Sequence, residues 1–393
     1  MFVHLLVLLF AAVEAIPTGR FEVVYPSMVT FRSGIKRIRF RALDEDIELR
    51  LEPAGDVIAD DFTVINGENG EVDHSVNIQS LKRKLYKDAK VGAALHIDED
   101  GSLIINGIVN SKLRIEPDTS KKASRNGIIA HRVIEVIEDE QLFHDVIILP
   151  PGLTRTFNYS EPLPDDKCVK IEYVFVTESS FTKSFQISSM ETYLANMMNM
   201  VKIMFDSLDL GIEVAIIGII KLTKENEAKL APYIPLCSRE MDSRETLDDM
   251  AEFYCNSADK LIQNADIVTL ITTRPLGTFD ENGYFFNIHL GIAFLDNICV
   301  YCYKYAIVKE DTGIYQLANT VAHESAHLLG CDHDGEKGSL DCSARDGYIM
   351  SWNNEKIGKK FSPCCKKRVE ELITRRKINH CIVETCDGKR KRN

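Results

Sequence analysis

Residues 323–334 read H-E-S-A-H-L-L-G-C-D-H-D, and this short run constrains the chain more than any other feature. His323 and His327 are four residues apart, so on a helix their imidazoles project from one face, a turn above one another. Two ring nitrogens so placed suit one Zn²⁺ at about 2.0–2.1 Å. Glu324 follows the first histidine and points beside that metal, where a water would sit. Gly330 takes the left-handed conformation that ends a helix and turns the chain, which returns His333 as a third nitrogen. Three protein ligands leave one coordination position open, the mark of a catalytic rather than a structural zinc. A lone HExxH is weak evidence, but the extended pattern ending in His333 is much more specific. It is joined by Met350 in DGYIMSW, a later methionine at the distance expected for a turn beneath the metal.

The rest of the 393 residues divides at a seam. None of the eleven cysteines precedes Lys167, one is Cys168, and the other ten are Cys237, Cys255, Cys299, Cys302, Cys331, Cys342, Cys364, Cys365, Cys381 and Cys386. The N-terminus carries an apolar run, Phe2 to Val13, then Val13-Glu14-Ala15 and Pro17, the pattern of a signal peptide over residues 1–15 without the usual basic start. A secreted chain uses such cysteines in disulfides. Ten could form five bridges, which leaves Cys168 over, either as a latency thiol on the open zinc position or as a structural or spare thiol. Asn158-Tyr159-Ser160 is a glycosylation sequon. A net charge of −12 argues against a nucleic-acid partner. No later stretch approaches the roughly 20 apolar residues needed to span a bilayer.

From Phe21 to about Pro150 short alternating runs such as KRIRFRAL, IELRLEP and HRVIEVIED, punctuated by glycine turns, predict a β-rich region, with its linker covering 16–167. Beyond the seam, residues 168–386 alternate strands with helices, so the fold class is α/β. Strands are expected over Val169–Val176, Ile212–Ile220, Asp266–Thr272 and Gly283–Leu295. Helices are expected over Met190–Phe205, Thr246–Gln263 and Tyr315–Leu329. The basic residues 387–393 read as a solvated tail.

The run His323–Asp334 with Ile349-Met350 resembles the metzincin metallopeptidases, and Asp334 after the third histidine resembles the reprolysin (adamalysin-like) branch. HESAHLLGCDHDGE, DGYIMSW and FSPCC together are most similar to secreted salivary metalloproteases of blood-feeding arthropods, and LYKDAKVGAALHIDEDGSLIINGIVNSKLRIEP is similar to a reprolysin prodomain. The resemblance implies a mixed, mostly parallel sheet with helices, an active-site helix and a methionine turn, preceded by the β-rich prodomain. It implies a zinc endopeptidase of extracellular proteins or peptides, with Glu324 as general base and substrate lying along an edge strand that holds Gly291 and Ala293. By resemblance Cys342 pairs with Cys364 or Cys365, and Cys299 or Cys302 with Cys381; Cys237–Cys255 reads as a local bridge and Cys331 as a disulfide partner. Some reprolysins also carry a structural Ca²⁺, and Glu172, Asp266 and Glu384 stand at the matching positions. Two departures stand out: no long disintegrin region follows, and the Pro-Lys-x-Cys-Gly-Val switch is missing before the seam. Alternative readings are a non-catalytic secreted binder on the same fold, and a peptidase of endogenous substrates. Oligomeric state is not legible in the sequence.

Overall fold

The computed structural model describes residues 19–67, 70–118, 120, 129–136, 147–148, 164, 166–185, 189–230, 239–310, 313–336, 338–351, 358–374 and 381–385. Residues 1–15, expected to be a signal peptide, lie outside them, as do Asn158, Cys237, Cys386 and the basic tail.

Alternating side chains build the N-terminal strands β1 (Phe21–Val24), β2 (Ser27–Thr30), β3 (Lys36–Ala42), β4 (Glu45–Pro53), β5 (Ile58–Asn66) and β6 (Glu71–Val72). A one-and-a-half-turn helix, α1 (Ile78–Arg83), starts on an Asn77 side-chain cap. β7 (Leu85–Asp88), β8 (Ala93–Asp98), β9 (Ile104–Asn110), β10 (Leu113–Pro117) and β11 (His131–Glu135) follow. Nine strands form an antiparallel sheet in the order β1-β11-β10-β9-β8-β7-β4-β3-β2. Its own core holds Ile38, Leu49, Leu95, Ile105 and Val133.

Next come β12 (Ile147–Ile148), β13 (Lys167–Thr177), α2 (Ser179–Lys183), α3 (Met190–Asp206), β14 (Ile212–Lys221), α4 (Lys224–Leu230) and β15 (Met241–Asp242). They are followed by α5 (Ser243–Cys255), α6 (Lys260–Asn264), β16 (Ile267–Thr272), β17 (Leu276–Phe279), β18 (Phe285–His289), β19 (Gly291–Phe294) and β20 (Tyr305–Lys309). α7 (Ile314–Leu328), α8 (Pro363–Thr374) and β21 (Val383–Thr385) are the last elements among the described residues. The second sheet runs β12-β19-β20-β16-β13-β14-β5-β6, with β21 beside β13. Around β13 it is parallel, so its strands are buried on both faces and read as apolar runs rather than alternations. The fold is therefore the expected α/β arrangement with a β-rich N-terminal region.

Two expected elements divide. The predicted helix over Thr246–Gln263 breaks after Cys255, and α6 restarts on Asp259, whose carboxylate accepts the Leu261 amide at 2.8 Å. The predicted strand Gly283–Leu295 breaks at Leu290: β18 pairs with β17 in a small sheet with β15, while β19 joins the large one. Among the described residues no helix is long and apolar enough to cross a membrane.

Helix α7 is buried on every side, packed against α3, β19 and β20. An all-round buried helix suits a site that must hold its side chains still.

Candidate metal centre

The end of α7 is set by local backbone rules. Gly330 has φ 90°, its amide donates to the His327 carbonyl at 2.8 Å, and the Cys331 amide reaches back to Ala326 at 2.9 Å. This pair of bonds is a Schellman turn, and a β-carbon would strain it. The turn sends the chain back across the helix, which brings His333 to the two helical histidines.

The three Nε2 atoms converge. His323 and His327 are 3.1 Å apart, His327 and His333 3.2 Å, and His323 and His333 3.3 Å. All three rings are buried. The other ring nitrogens explain why these are not hydrogen bonds. His323 Nδ1 faces the Ile349 carbonyl at 2.7 Å, and His327 Nδ1 faces the Cys331 carbonyl at 2.8 Å. A carbonyl only accepts, so each Nδ1 carries the proton and each Nε2 presents a lone pair. The two lone pairs and His333 Nε2 gathered at one point fit a cation, and nitrogens bound tetrahedrally at about 2.0–2.1 Å would stand about 3.3 Å from each other. Such backbone partners also fix the orientation of a metal-bound histidine.

The loop beyond the helix is tied from below. The Asp334 amide donates to the Met350 carbonyl at 3.0 Å, and its carboxylate accepts Ser362 Oγ at 2.6 Å and Ser351 Oγ at 3.4 Å. Burial pushes the Asp334 carboxyl above its ordinary range, and the two serine hydroxyls oppose that shift. Met350 is fully buried. The neighbouring residues 352–357 lie outside the described residues.

Glu324 is buried beside the triad, and Gly291 on β19 lies against it: a β-carbon built on Gly291 would fall 2.3 Å from Glu324 Oε1. Ala293, also on β19, pairs with Ala306 on one side and with Ile147 on the other.

Disulfides join Cys255 to Cys302, Cys299 to Cys381, Cys331 to Cys365 and Cys342 to Cys364. The third fastens the loop after Gly330 to α8. Two expectations are corrected. Cys255 takes Cys302 in place of Cys237, because α5 packs on β20 and meets the turn that precedes it. Cys168 is not the unpaired thiol: it is disulfide-bonded, and a disulfide sulfur has no thiolate to place on a metal.

The three candidate calcium ligands are arranged differently from the histidines. Asp266 Oδ2 accepts the Glu172 amide at 2.8 Å, Lys170 makes an ion pair with Glu172, and Glu384 lies on β21, paired with Cys168. Burial lifts the Asp266 carboxyl to about 7 and lowers the nearby Lys304 ammonium to about 8. Among the described residues only two groups bring three ligand atoms within 4.8 Å of one another: the histidine triad, and Asp334 with Cys342 and Cys364. The second is no metal site, since its two sulfurs are bonded to each other.

Residues 168–362 match metallo-peptidase family M12, in its reprolysin branch. The chain is 40% identical to the venom metalloproteinase antarease TserMP_A of the scorpion Tityus serrulatus, over 97% of this chain and 98% of that one. The chain belongs to the reprolysin-type M12 metallopeptidases. It is a zinc metalloendopeptidase by that membership, with the histidine triad as its one converging nitrogen set among the described residues. The venom metalloproteinase antarease-like TtrivMP_A of Tityus trivittatus is 38% identical over the same shares. A human relative, a disintegrin and metalloproteinase with thrombospondin motifs 16, is 26% identical over 58% of this chain and 18% of its own. Among solved structures, metalloproteinase-II from Bacteroides fragilis overlays with a TM-score of 0.45 at 13% identity, over 91% of this chain and 93% of that one.

Sequence reasoning had no access to several features of this peptidase. The Ile349 and Cys331 carbonyls that orient the histidines are backbone atoms and leave no residue-type signal. The contact between Gly291 and Glu324 joins two elements distant in sequence, and only the small-residue pattern around Ala293 hinted at it.

Proposed function

We propose that this peptidase is secreted and hydrolyses extracellular proteins, with His323, His327 and His333 holding the zinc and Glu324 acting as general base. The observation that carries the assignment is the convergence of three buried Nε2 atoms within 3.1–3.3 Å of each other. Zinc, when bound there, supplies Lewis acidity: it lowers the pKa of a coordinated water towards 7 and polarises a carbonyl. Glu324 stands one residue after His323 on the same helix and is buried, so its carboxylate takes the proton of the attacking water and passes it to the leaving amine. Such assistance contributes about 10²–10⁴-fold. The hydrogen-bonded His323 and His327 rings keep their orientation without rearrangement during turnover.

The substrate lies extended along β19, adding main-chain hydrogen bonds at Gly291 and Ala293. In the intact chain that edge is taken by Ile147–Ile148, which pairs in parallel with Ala293–Phe294, and the Leu295 amide donates to the Ile148 carbonyl at 3.0 Å. Substrate therefore competes with the chain's own strand, and this block takes the place of a thiol switch. The signal peptide over 1–15, the division into a prodomain (16–167) and a peptidase domain (168–386), and a glycan on Asn158 complete the reading. Its support is the four disulfides between described residues and the venom proteins it resembles.

The test is Glu324→Gln in protein freed of residues 1–167, scored for zinc content and for cleavage of a quenched peptide library. Full zinc with no cleavage is expected; cleavage at the wild-type rate, or a variant without zinc, would contradict the roles given.

A further inference from the structure

Six large apolar side chains after the seam are exposed among the described residues, and four of them stand on the β17–β18 hairpin: Phe279, Tyr284, Phe286 and Ile288. Tyr284 is 69% exposed, Phe286 50% and Ile288 42%. Scattered singly such residues need no explanation, but gathered on one hairpin they form a patch of the kind that marks an interaction site.

The hairpin is built to hold that patch still. Asp280 closes its turn, its carboxylate accepting the Asn282 amide at 2.9 Å and the Tyr284 amide at 2.8 Å. Gly277 lets the two strands approach, since a β-carbon there would lie 1.8 Å from the Phe286 carbonyl oxygen. The ladder slips by one residue between Leu276 and Thr278, a bulge of the sort that re-aims side chains. At the base, buried Ser243 Oγ donates to the Gly277 carbonyl at 3.0 Å and so accepts from His289 Nδ1 at 2.7 Å. Phe285 packs on Phe279 with ring centroids 4.9 Å apart. Aromatic side chains held in this way supply contact area at little entropic cost.

The place of the hairpin in the chain identifies what it meets. β18 ends at His289, and β19 opens two residues later at Gly291, which lies against Glu324. The β19 edge already carries an added strand, Ile147–Ile148, so an extended segment is seen to bind there. That strand pairs with Ala293 and Phe294, away from β18, and among the described residues β18 is the last strand of its own sheet. A chain laid along β19 that continues past Gly291 therefore runs onto the hairpin. At about 3.3 Å per residue, Ile288 and Tyr284 stand at most about 10 and 23 Å along from Gly291, the reach of roughly three to seven substrate residues.

We infer that the β17–β18 hairpin is an exosite that binds an apolar stretch of the protein substrate, on one flank of the bond being cut and roughly three to seven residues from it. The assignment rests on β19 being the substrate strand, and it names the substrate class: extended chains with large aliphatic or aromatic side chains on that flank. Charge favours a protein over a lipid surface. Asp280 and Glu281 stand at the hairpin tip and the chain carries a net −12, which anionic headgroups repel.

The experiment uses the full chain with a specific protease site inserted after Pro164, cut and supplied with zinc before assay. Three quenched peptides share one scissile sequence. The first is short; the others add Phe and Leu at roughly three to seven residues from the bond, one on the N-terminal flank and one on the C-terminal flank. One of the two longer peptides is expected to exceed the short one in kcat/KM by about 10- to 100-fold, chiefly through KM, the scale of burying one large apolar side chain. The triple change Tyr284→Ser, Phe286→Ser and Ile288→Ser should bring that ratio to about one, and Tyr284→Ser alone should lower it by about 3-fold or more if the triple variant fails to fold. Equal kcat/KM for all three peptides, an equal gain on both flanks, or a gain that survives these changes overturns the inference. So does a dimer in sedimentation, or retention on phosphatidylcholine–phosphatidylserine vesicles, that the triple change abolishes, since the patch then belongs to a second copy or to lipid. If no peptide is cut, it is the peptidase reading that has failed. Binding of a labelled apolar-flank peptide, with and without the triple change, then decides on the hairpin separately.

Discussion

A β-carbon on Gly291 would fall 2.3 Å from Glu324 Oε1, so the absence of a side chain on β19 is what admits the carboxylate of α7. The displaced atom would be the tip of Glu324 itself. Gly291→Ala is therefore expected to leave fold and zinc content intact and to lower kcat by about 10²-fold or more, the scale of general-base assistance. A far-UV spectrum, metal analysis and peptide turnover on one preparation check it. Turnover within a factor of about two of wild type would mean that Glu324 is not positioned by this contact.

Asp334 holds two buried serines and, through its amide, the Met350 carbonyl. Asp334→Ala leaves the hydroxyls of Ser362 and Ser351 without that acceptor, at a cost of about 1–3 kcal/mol. Because the preceding residue is His333, zinc affinity should fall as well, by about 10–100-fold. Thermal unfolding and competition with a chelator measure the two effects, and a variant that loses neither stability nor affinity refutes the role.

Cys331 lies one residue beyond Gly330 and is bridged to Cys365 on α8, 34 residues away. The double change Cys331→Ser with Cys365→Ser avoids a stray thiol and removes the loop constraint. A loss of about 2–4 kcal/mol is expected in denaturant unfolding. Zinc should also leave faster, since the chain that returns His333 is less confined. Unchanged zinc release would restrict the bridge to global stability.

Asp266 gives a pH signature of defined sign. Its folded pKa, about 7, stands above the ordinary 3.8, chiefly through burial. The folded state thus holds this proton more tightly than the unfolded one, and the contribution is fully favourable at low pH and lost as pH rises through about 7. Asp266→Asn keeps an acceptor for the Glu172 amide but does not titrate. Relative to wild type, the variant should gain stability as pH rises from about 4 to about 7, on the order of a few kcal/mol. A stability difference that is flat across that range contradicts the raised pKa.

Much of the candidate metal centre's geometry was legible in the sequence because its determinants are local. Four-residue spacing places His323 and His327 on one helical face, and a glycine at 330 is what a left-handed turn requires, so no distant residue is needed to expect His333 beside them. The α/β class was legible for the same reason, since apolar runs such as Ile212–Ile220 report burial on both faces of a parallel sheet. The limits of the local signal appear at Leu290 and at Asn256–Asp259, where continuous patterns conceal breaks imposed by which sheet or helix each half packs against.

What only the tertiary structure decided is every relation between distant segments. That Cys255 meets Cys302, that Cys168 is bonded, that β5 extends the peptidase sheet while Ile147–Ile148 lies along β19, and that Gly291 makes room for Glu324 all depend on register and packing. A residue's identity reports its own conformational preferences and whether it is buried. It does not report which of many apolar strands or cysteines it will meet, because that choice is made by the free energy of the whole assembled core.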